Sequence, residues 1–321
     1  MFASYYRLIH FITSLSPILY PLFTQIGFTN DSIELAPMTT YQETVIVKKH
    51  YATNPSGCLD FMAGFHRSLS KPNTIFCDFD GPIVDVSDRY YSTYHLALTD
   101  TAAFYREFSP QPLTNTSLQL QLTILTKAQF WQMKQNRIPD REIARQSGLA
   151  AEQIDFFLQR VIEIVNGADL LQQDKIQPGV TWALGLLKSQ GCRLILVTLR
   201  DRHEAIEMLE QHQLRRLFTG IYGTDNNRDA YQNYAEVKTK LLQQAMHEHQ
   251  VTSADSAQSW MIGDTEADLL AGSAMGISTI ALTCGIRSEQ QLRQFQPTLI
   301  KPDLLCAAHH LVEVNSLQIC G

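Results

Sequence analysis

The chain has 321 residues, enough to bury a large core in one big domain or two modest ones. No basic run offsets its net charge of −6, which argues against nucleic acid as the main partner and leaves a small anionic ligand to be met by local basic residues. Six cysteines without C-x-x-C spacing or a secreted-framework pattern point to reduced thiols and a cytoplasmic protein.

Before Asp31 the only charged residue is Arg7, set among apolar residues that Pro17 and Pro21 interrupt. Three readings stay open there: a signal peptide or membrane anchor, a loosely attached extension, or a true start at Met38. Glu43–Lys49 reads as a short strand, and His50 and His66 lack ligand-spaced companions. Residues 1–71 are assigned to an N-terminal extension of unassigned role, and no membrane partner is expected.

Thr74, Ile75, Phe76 and Cys77 form a β-favouring apolar run between Pro72-Asn73 and Gly81-Pro82, which predicts a buried strand ending near Asp78. Asp78 and Asp80 stand at its carboxyl end. Two aspartates one residue apart repel each other and ask for a divalent cation or a lysine. After Asp85 the pattern is helical to about residue 175, with helices predicted over Tyr90–Phe108, Leu118–Met133 and Ala151–Asn166. In the last of these Ile154, Phe157, Leu158, Val161, Ile162 and Val165 recur at helical spacing, and Gly167 stands where a C-terminal cap belongs.

Pro178-Gly179-Val180 opens a helix that Gly191 ends, and Arg193–Val197 follows as a buried strand reaching Thr198. A helix from Asp201 to about His212, a strand near Ile221-Tyr222, a polar loop at Asp225-Asn226-Asn227 and a helix containing Lys238 come next. Ser259–Ile262 then reads as a strand running into Gly263-Asp264, followed by a helix to Gly276 and a strand over Ser278–Leu282. This alternation implies a parallel, doubly wound sheet, an α/β fold. The chain between Asp78 and Thr198 far exceeds the roughly 30 residues of one strand-helix-strand unit. The surplus is an all-helical insertion, placed as a lid over strand ends where ligands bind in such sheets. The boundaries are 72–86 and 176–310 for the core, 87–175 for the helical cap and 311–321 for a tail.

With Asp78-Phe79-Asp80-Gly81 and Asp85, Val197-Thr198, Lys238, and Gly263-Asp264-x-x-x-Asp268 in this order, the chain resembles the haloacid dehalogenase-like hydrolases. The likeness is to the branch with a helical cap after the first motif, as in phosphoglycolate phosphatases and β-phosphoglucomutases, and it implies a Rossmann-like catalytic core. It further implies a phosphatase that hydrolyses a small phosphorylated metabolite, a phosphomonoester, through an aspartyl-phosphate. A phosphomutase, or a non-catalytic scaffold that binds a phosphorylated ligand, is the alternative.

By the same resemblance Asp78 is the nucleophile and Asp80 first protonates the leaving oxygen, then takes a proton from water. Thr198 and Lys238 bind the phosphoryl group. Mg²⁺ is the implied cofactor, with Asp78, the Asp80 carbonyl and Asp264 as ligands and Asp268 acting through water or Lys238. Lys240 rivals Lys238 for the third motif. Asp80 argues against dehalogenase chemistry, where the leaving halide needs no proton. Pro82 and Leu199 depart from the family's usual residues; Arg200 either compensates for Leu199 or lies on the surface. Arg89, Tyr90, Tyr94, Lys127, Trp131, Lys134 and Arg137 are candidate substrate contacts. Oligomeric state is not readable from these residues.

Overall fold

Ile75, Phe76 and Cys77 are apolar without alternation, and the strand they form is buried on both faces. In the computed structural model the chain divides into two units, Met1–Arg67 and Ser68–Gly321. In the first, the residues described are two antiparallel strands, β1 (Ile26–Thr29) and β2 (Ser32–Leu35), paired Ile26 to Leu35 and Thr29 to Ser32. In the second the structure describes residues 73–107, 122–225 and 231–318. The strand predicted over Glu43–Lys49 and the Met38 start lie outside the described residues.

The second unit holds a six-stranded parallel sheet in the order β10-β9-β8-β3-β6-β7. Its strands are β3 (Thr74–Cys77), β6 (Arg193–Asp201), β7 (Gly220–Thr224), β8 (Ser259–Gly263), β9 (Ser278–Leu282) and β10 (Leu299–Lys301). Cys77 pairs with Leu196 of β6 on one side and Ile262 of β8 on the other. Strand order therefore reverses at β3, the kind of position where open α/β sheets bind ligands.

Successive side chains of β3 and β6 enter opposite layers. Ile75, Cys77, Leu194 and Leu196 pack with α6 (Val180–Ser189), α7 (Arg202–Gln211) and α11 (Leu304–Gln318). Phe76, Ile195 and Val197 pack with α8 (Ala235–Glu248) and α9 (Glu266–Ala274). Helix α10 (Glu289–Arg293) adds Leu292 at the β9 side. Helix α11 runs to Gln318, through residues expected as a tail after 310, because Leu304, Ala307, Ala308 and Leu311 give it a buried face, and it packs mainly on α6.

A two-stranded ribbon, β4 (Val84–Asp85) with β5 (Lys175–Ile176), brackets the helices between them. These are α1 (Ser87–Glu107), α2 (Lys127–Gln135), α3 (Asp140–Gln146), α4 (Ala151–Ile164) and α5 (Ala168–Leu171). Helix α4 buries Ile154, Phe157 and Val161, as its spacing predicts. Two expectations are corrected. Of the helix expected over Leu118–Met133, residues 118–121 lie outside the described residues and 122–126 are not helical; α2 starts at Lys127, because the Thr126 hydroxyl accepts from Gln129 N (3.3 Å) while the Gln129 side chain accepts from Thr126 N (2.9 Å), a reciprocal cap. Gly167 is not a left-handed C-terminal cap but the residue that opens α5, at φ −67°. Among the described residues no helix is long and apolar enough to cross a membrane.

Candidate active site

Asp78 directly follows β3, and its N–H extends the sheet ladder by donating to Ile262 O (2.9 Å). The turn beyond it closes through Gly81 N to Val84 O (2.8 Å) and Val84 N to Phe79 O (3.0 Å), with Gly81 at φ +94°, a conformation that costs glycine nothing. Thr198 lies near the end of β6, where pairing with β7 shifts register between Val197 and Asp201; such irregularities re-aim side chains. Asp264 follows β8, and Asp268 lies one turn into α9. There its Oδ2 accepts from Thr265 N (3.1 Å) and Thr265 Oγ1 (2.7 Å).

The structure brings these residues together around Lys238, which α8 carries at 1 % exposure. Its Nζ lies 2.6 Å from Asp78 Oδ1 and 2.8 Å from Asp268 Oδ1, and donates to Val197 O at 3.1 Å. Three protein oxygens thus surround the ammonium within 3.1 Å. Lys238, expected as a phosphate ligand, thus stands between two carboxylates, while Lys240 is exposed. Thr198, 1 % exposed, accepts from Arg200 N through its hydroxyl oxygen (3.1 Å), which leaves its own hydrogen to donate.

Asp78, Asp264 and Asp268 can bring one carboxylate oxygen each within 4.8 Å of one another. Asp264 sits in a mould of backbone: a Cβ on Gly81 would come within 2.2 Å, and one on Gly285 within 1.9 Å, of its carboxylate. Its Oδ2 accepts from Ile286 N (2.7 Å), while Oδ1 is buried without a partner. Burial, then the repulsion of Asp268, push Asp78 up to about 7 against the pull of Lys238. Burial, then Asp268 and Asp78, hold Asp264 well above the usual carboxylate range. Burial alone would lower the Lys238 ammonium, but Asp268 and Asp78 outweigh it and raise it. Three buried carboxylates with one ammonium, an orphaned oxygen and an all-oxygen donor set fit a small hard divalent cation.

That imbalance should make stability depend on pH and on an added divalent cation together. Asp78 and Asp264 titrate higher folded than unfolded, so their contribution is full below the unfolded value of 3.8; that of Asp78 is lost as pH rises through about 7, and that of Asp264 is lost as pH rises above the usual carboxylate range. A divalent cation needs the same carboxylates ionised. Mg²⁺ at about a hundred times its dissociation constant should add about 2.7 kcal/mol, raising the unfolding midpoint at pH 8 by about 5–10 °C. At pH 5 the gain should shrink as protons compete. Thermal unfolding in Mg²⁺ and in chelator at both pH values checks this, and an equal gain at each would contradict it.

Asp80 stands apart from this cluster. Its Oδ2 accepts from Arg89 Nη2 (2.9 Å), and its Oδ1 lies 3.4 Å from Arg200 Nε. Arg200 is 4 % exposed, not a surface residue, and Arg89 is 1 % exposed, in the interior rather than at a substrate surface. Tyr94 stacks on Phe130 and bonds Ser147 (2.8 Å), a packing role. Tyr90 and Lys134 do line the cleft above Asp78, as do Tyr231, Asn233 and Arg287, which the sequence reading left out. The cleft measures about 610 Å³ including its opening to solvent. The helical segment meets its rim through Arg137 on Glu266 (3.1 Å), itself held by Arg287 (2.8 Å), and through Ser288 N donating to Gln135 O (2.9 Å).

The family model described as haloacid dehalogenase-like hydrolase matches residues 75–282, a span that includes Asp78, Asp80, Thr198, Lys238, Asp264 and Asp268. The chain belongs to this family. The haloacid dehalogenase-like chain is 25 % identical over 252 residues to the probable phosphatase IndB of Dickeya dadantii, covering 78 % of this chain and 98 % of that one. It is 31 % identical over 134 residues to a phosphoglycolate phosphatase of Aliivibrio fischeri, covering 41 % of this chain and 55 % of the relative. Among solved structures a predicted phosphoglycolate phosphatase from Haemophilus somnus shares the fold at TM-score 0.52 and 18 % identity, over 76 % of this chain and 99 % of that one. With six parallel strands and flanking helices, this hydrolase has the doubly wound, Rossmann-like fold the sequence implies.

Proposed function

We propose that the protein is a cytoplasmic, Mg²⁺-dependent phosphatase that hydrolyses a small phosphomonoester through an aspartyl-phosphate on Asp78. The observation that carries this reading is the division between two neighbouring carboxylates. Asp78 points into the acidic cluster, with Lys238 at 2.6 Å, while Asp80 points away from it onto guanidinium groups. A carboxylate beside a cation site is placed to attack phosphorus, and one held clear of it is free to move protons. The phosphatase names among the relatives support the same reaction class, and Cys77, Cys192, Cys284 and Cys306, which are unpaired among the described residues, support a reducing compartment.

In this reading an Asp78 oxygen bonds to phosphorus as the bond to the leaving oxygen breaks, and the Asp80 carboxyl delivers its proton to that oxygen. Water then attacks the aspartyl-phosphate, giving its proton to Asp80 and freeing phosphate and Asp78. Lys238 fixes Asp78 and offsets the Asp78–Asp268 repulsion, and the Thr198 hydroxyl donates to a phosphoryl oxygen. Asp78, Asp264 and the main-chain carbonyl of Asp80 would hold Mg²⁺, with Asp268 beside them; the bound ion supplies positive charge to the transferring group.

The test is phosphate release from a panel of phosphorylated metabolites, with Mg²⁺ and with chelator. Metal-dependent release from at least one monoester is the expected outcome. No release from any ester, by folded protein that binds Mg²⁺, would overturn the assignment.

A further inference from the structure

Behind Asp80 lies a group of ions that the chemistry above does not use. Asp174, whose side chain is wholly buried, sits between two guanidiniums: Arg89 Nε at 3.0 Å from Oδ1, and Arg200 Nη2 bonded to Oδ2. One further nitrogen of each arginine faces Asp80: Arg89 Nη2 donates to its Oδ2 (2.9 Å), and Arg200 Nε lies 3.4 Å from its Oδ1, while Arg200 Nη1 turns to Met208 Sδ (3.8 Å). Arg89 also donates to Asn166 Oδ1 (2.7 Å) and Val165 O (3.5 Å), and its guanidinium lies 5.1 Å from the Tyr90 ring centroid. The Arg200 guanidinium lies 5.3 Å from that of Phe79. Asp80, Arg89, Asp174 and Arg200 come from the β3 turn, from α1, from the loop before β5 and from the end of β6.

Burying four charges is a poor way to gain stability, because their desolvation largely cancels their attraction. What such a cluster supplies is direction: a planar guanidinium has a fixed fork, and a carboxylate bound at both oxygens fixes two forks at once. We propose that Asp174 is a positioning residue that acts through Arg89 and Arg200 to hold the Asp80 carboxyl where it can protonate the leaving oxygen. The inference rests on the phosphomonoesterase reading. It concerns the proton transfer alone and leaves the attack by Asp78 untouched.

The leaving group separates this role from a general structural one. A p-nitrophenolate departs without a proton, whereas an alkoxide needs one. kcat/KM reports the steps up to aspartyl-phosphate formation, before Asp80 acts on water. In Asp174→Asn, kcat/KM for a simple alkyl phosphate should fall about a hundredfold, within the range for a lost general acid. For p-nitrophenyl phosphate it should stay within about threefold of wild type, by the same principle. Asp80→Asn should show the same ester selectivity, and the double variant should lose no more than Asp80→Asn alone, since the two act as one unit. If Asp174→Asn fails to fold, Arg89→Lys, which keeps the charge and loses the fork, takes the same measurement with the same expected selectivity.

Equal losses on both esters, no loss on either, or additive losses in the double variant would overturn the proposal. Wild type that releases phosphate from neither ester would instead sink the phosphomonoesterase reading itself.

Discussion

Asp78→Asn should lower phosphate release by about four orders of magnitude or more, a barrier increase of about 5.5 kcal/mol. The amide has no anionic oxygen with which to displace a leaving group, and no neighbour can take its place. Asp268 is committed to Lys238 and Thr265, and Asp264 to Ile286 N. The same substitution should leave the fold intact and make the metal-free protein more stable at pH 8. It removes a carboxylate whose ionisation burial and Asp268 oppose, while Lys238 keeps its pairing with Asp268. Two readouts therefore move in opposite directions: turnover is lost while the midpoint of thermal unfolding in chelator holds or rises. Residual activity within about tenfold of wild type, about 1.4 kcal/mol, would remove Asp78 as the nucleophile.

Lys238→Met should have the largest effect on stability. Methionine fills much of the lysine's volume but leaves Asp78, Asp268 and Asp264 facing one another with no buried cation, and breaking such a pairing costs about 3–5 kcal/mol. In a unit of the size of Ser68–Gly321, that corresponds to a fall of about 6–20 °C in chelator at pH 8. The loss should narrow at pH 5, where Asp78 and Asp264 take up protons, and narrow again in Mg²⁺. Lys240→Met, at an exposed position two residues on, should stay within about 0.5 kcal/mol of wild type. Calorimetry on both variants decides the matter; similar midpoints for the two would mean that Lys238 does not hold the carboxylates together.

The sheet was legible because a parallel strand buried on both faces writes itself as an unbroken apolar run, and Thr74–Cys77, Arg193–Val197 and Ser259–Ile262 each do so. The residues at the ends of those strands followed from their positions. The Arg89–Asp174–Arg200 cluster did not, since its partners lie 85 and 26 positions apart, and ion pairs between separate elements leave no period in a sequence. Arg200 read equally well as a surface residue, because burial of a single arginine depends on what comes to cover it. The start of α2 was written in Thr126 and Gln129, but the apolar residues before it masked the cap. Gly167 shows the opposite failure: a glycine at a helix junction fits the end of one helix as well as the start of the next. Lys238 and Lys240 competed on sequence, and burial separates them: Lys238 is 1 % exposed, whereas Lys240 is exposed.

Gly81 and Gly285 close on Asp264 from two stretches of chain far apart in sequence. What they contribute is empty space, since a methyl group at either position would occupy the volume the carboxylate needs. The reach of this acid into the cluster is thus set by the absence of side chains around it. The smallest addition to the molecule, one carbon at either glycine, would displace it much as deleting the acid would.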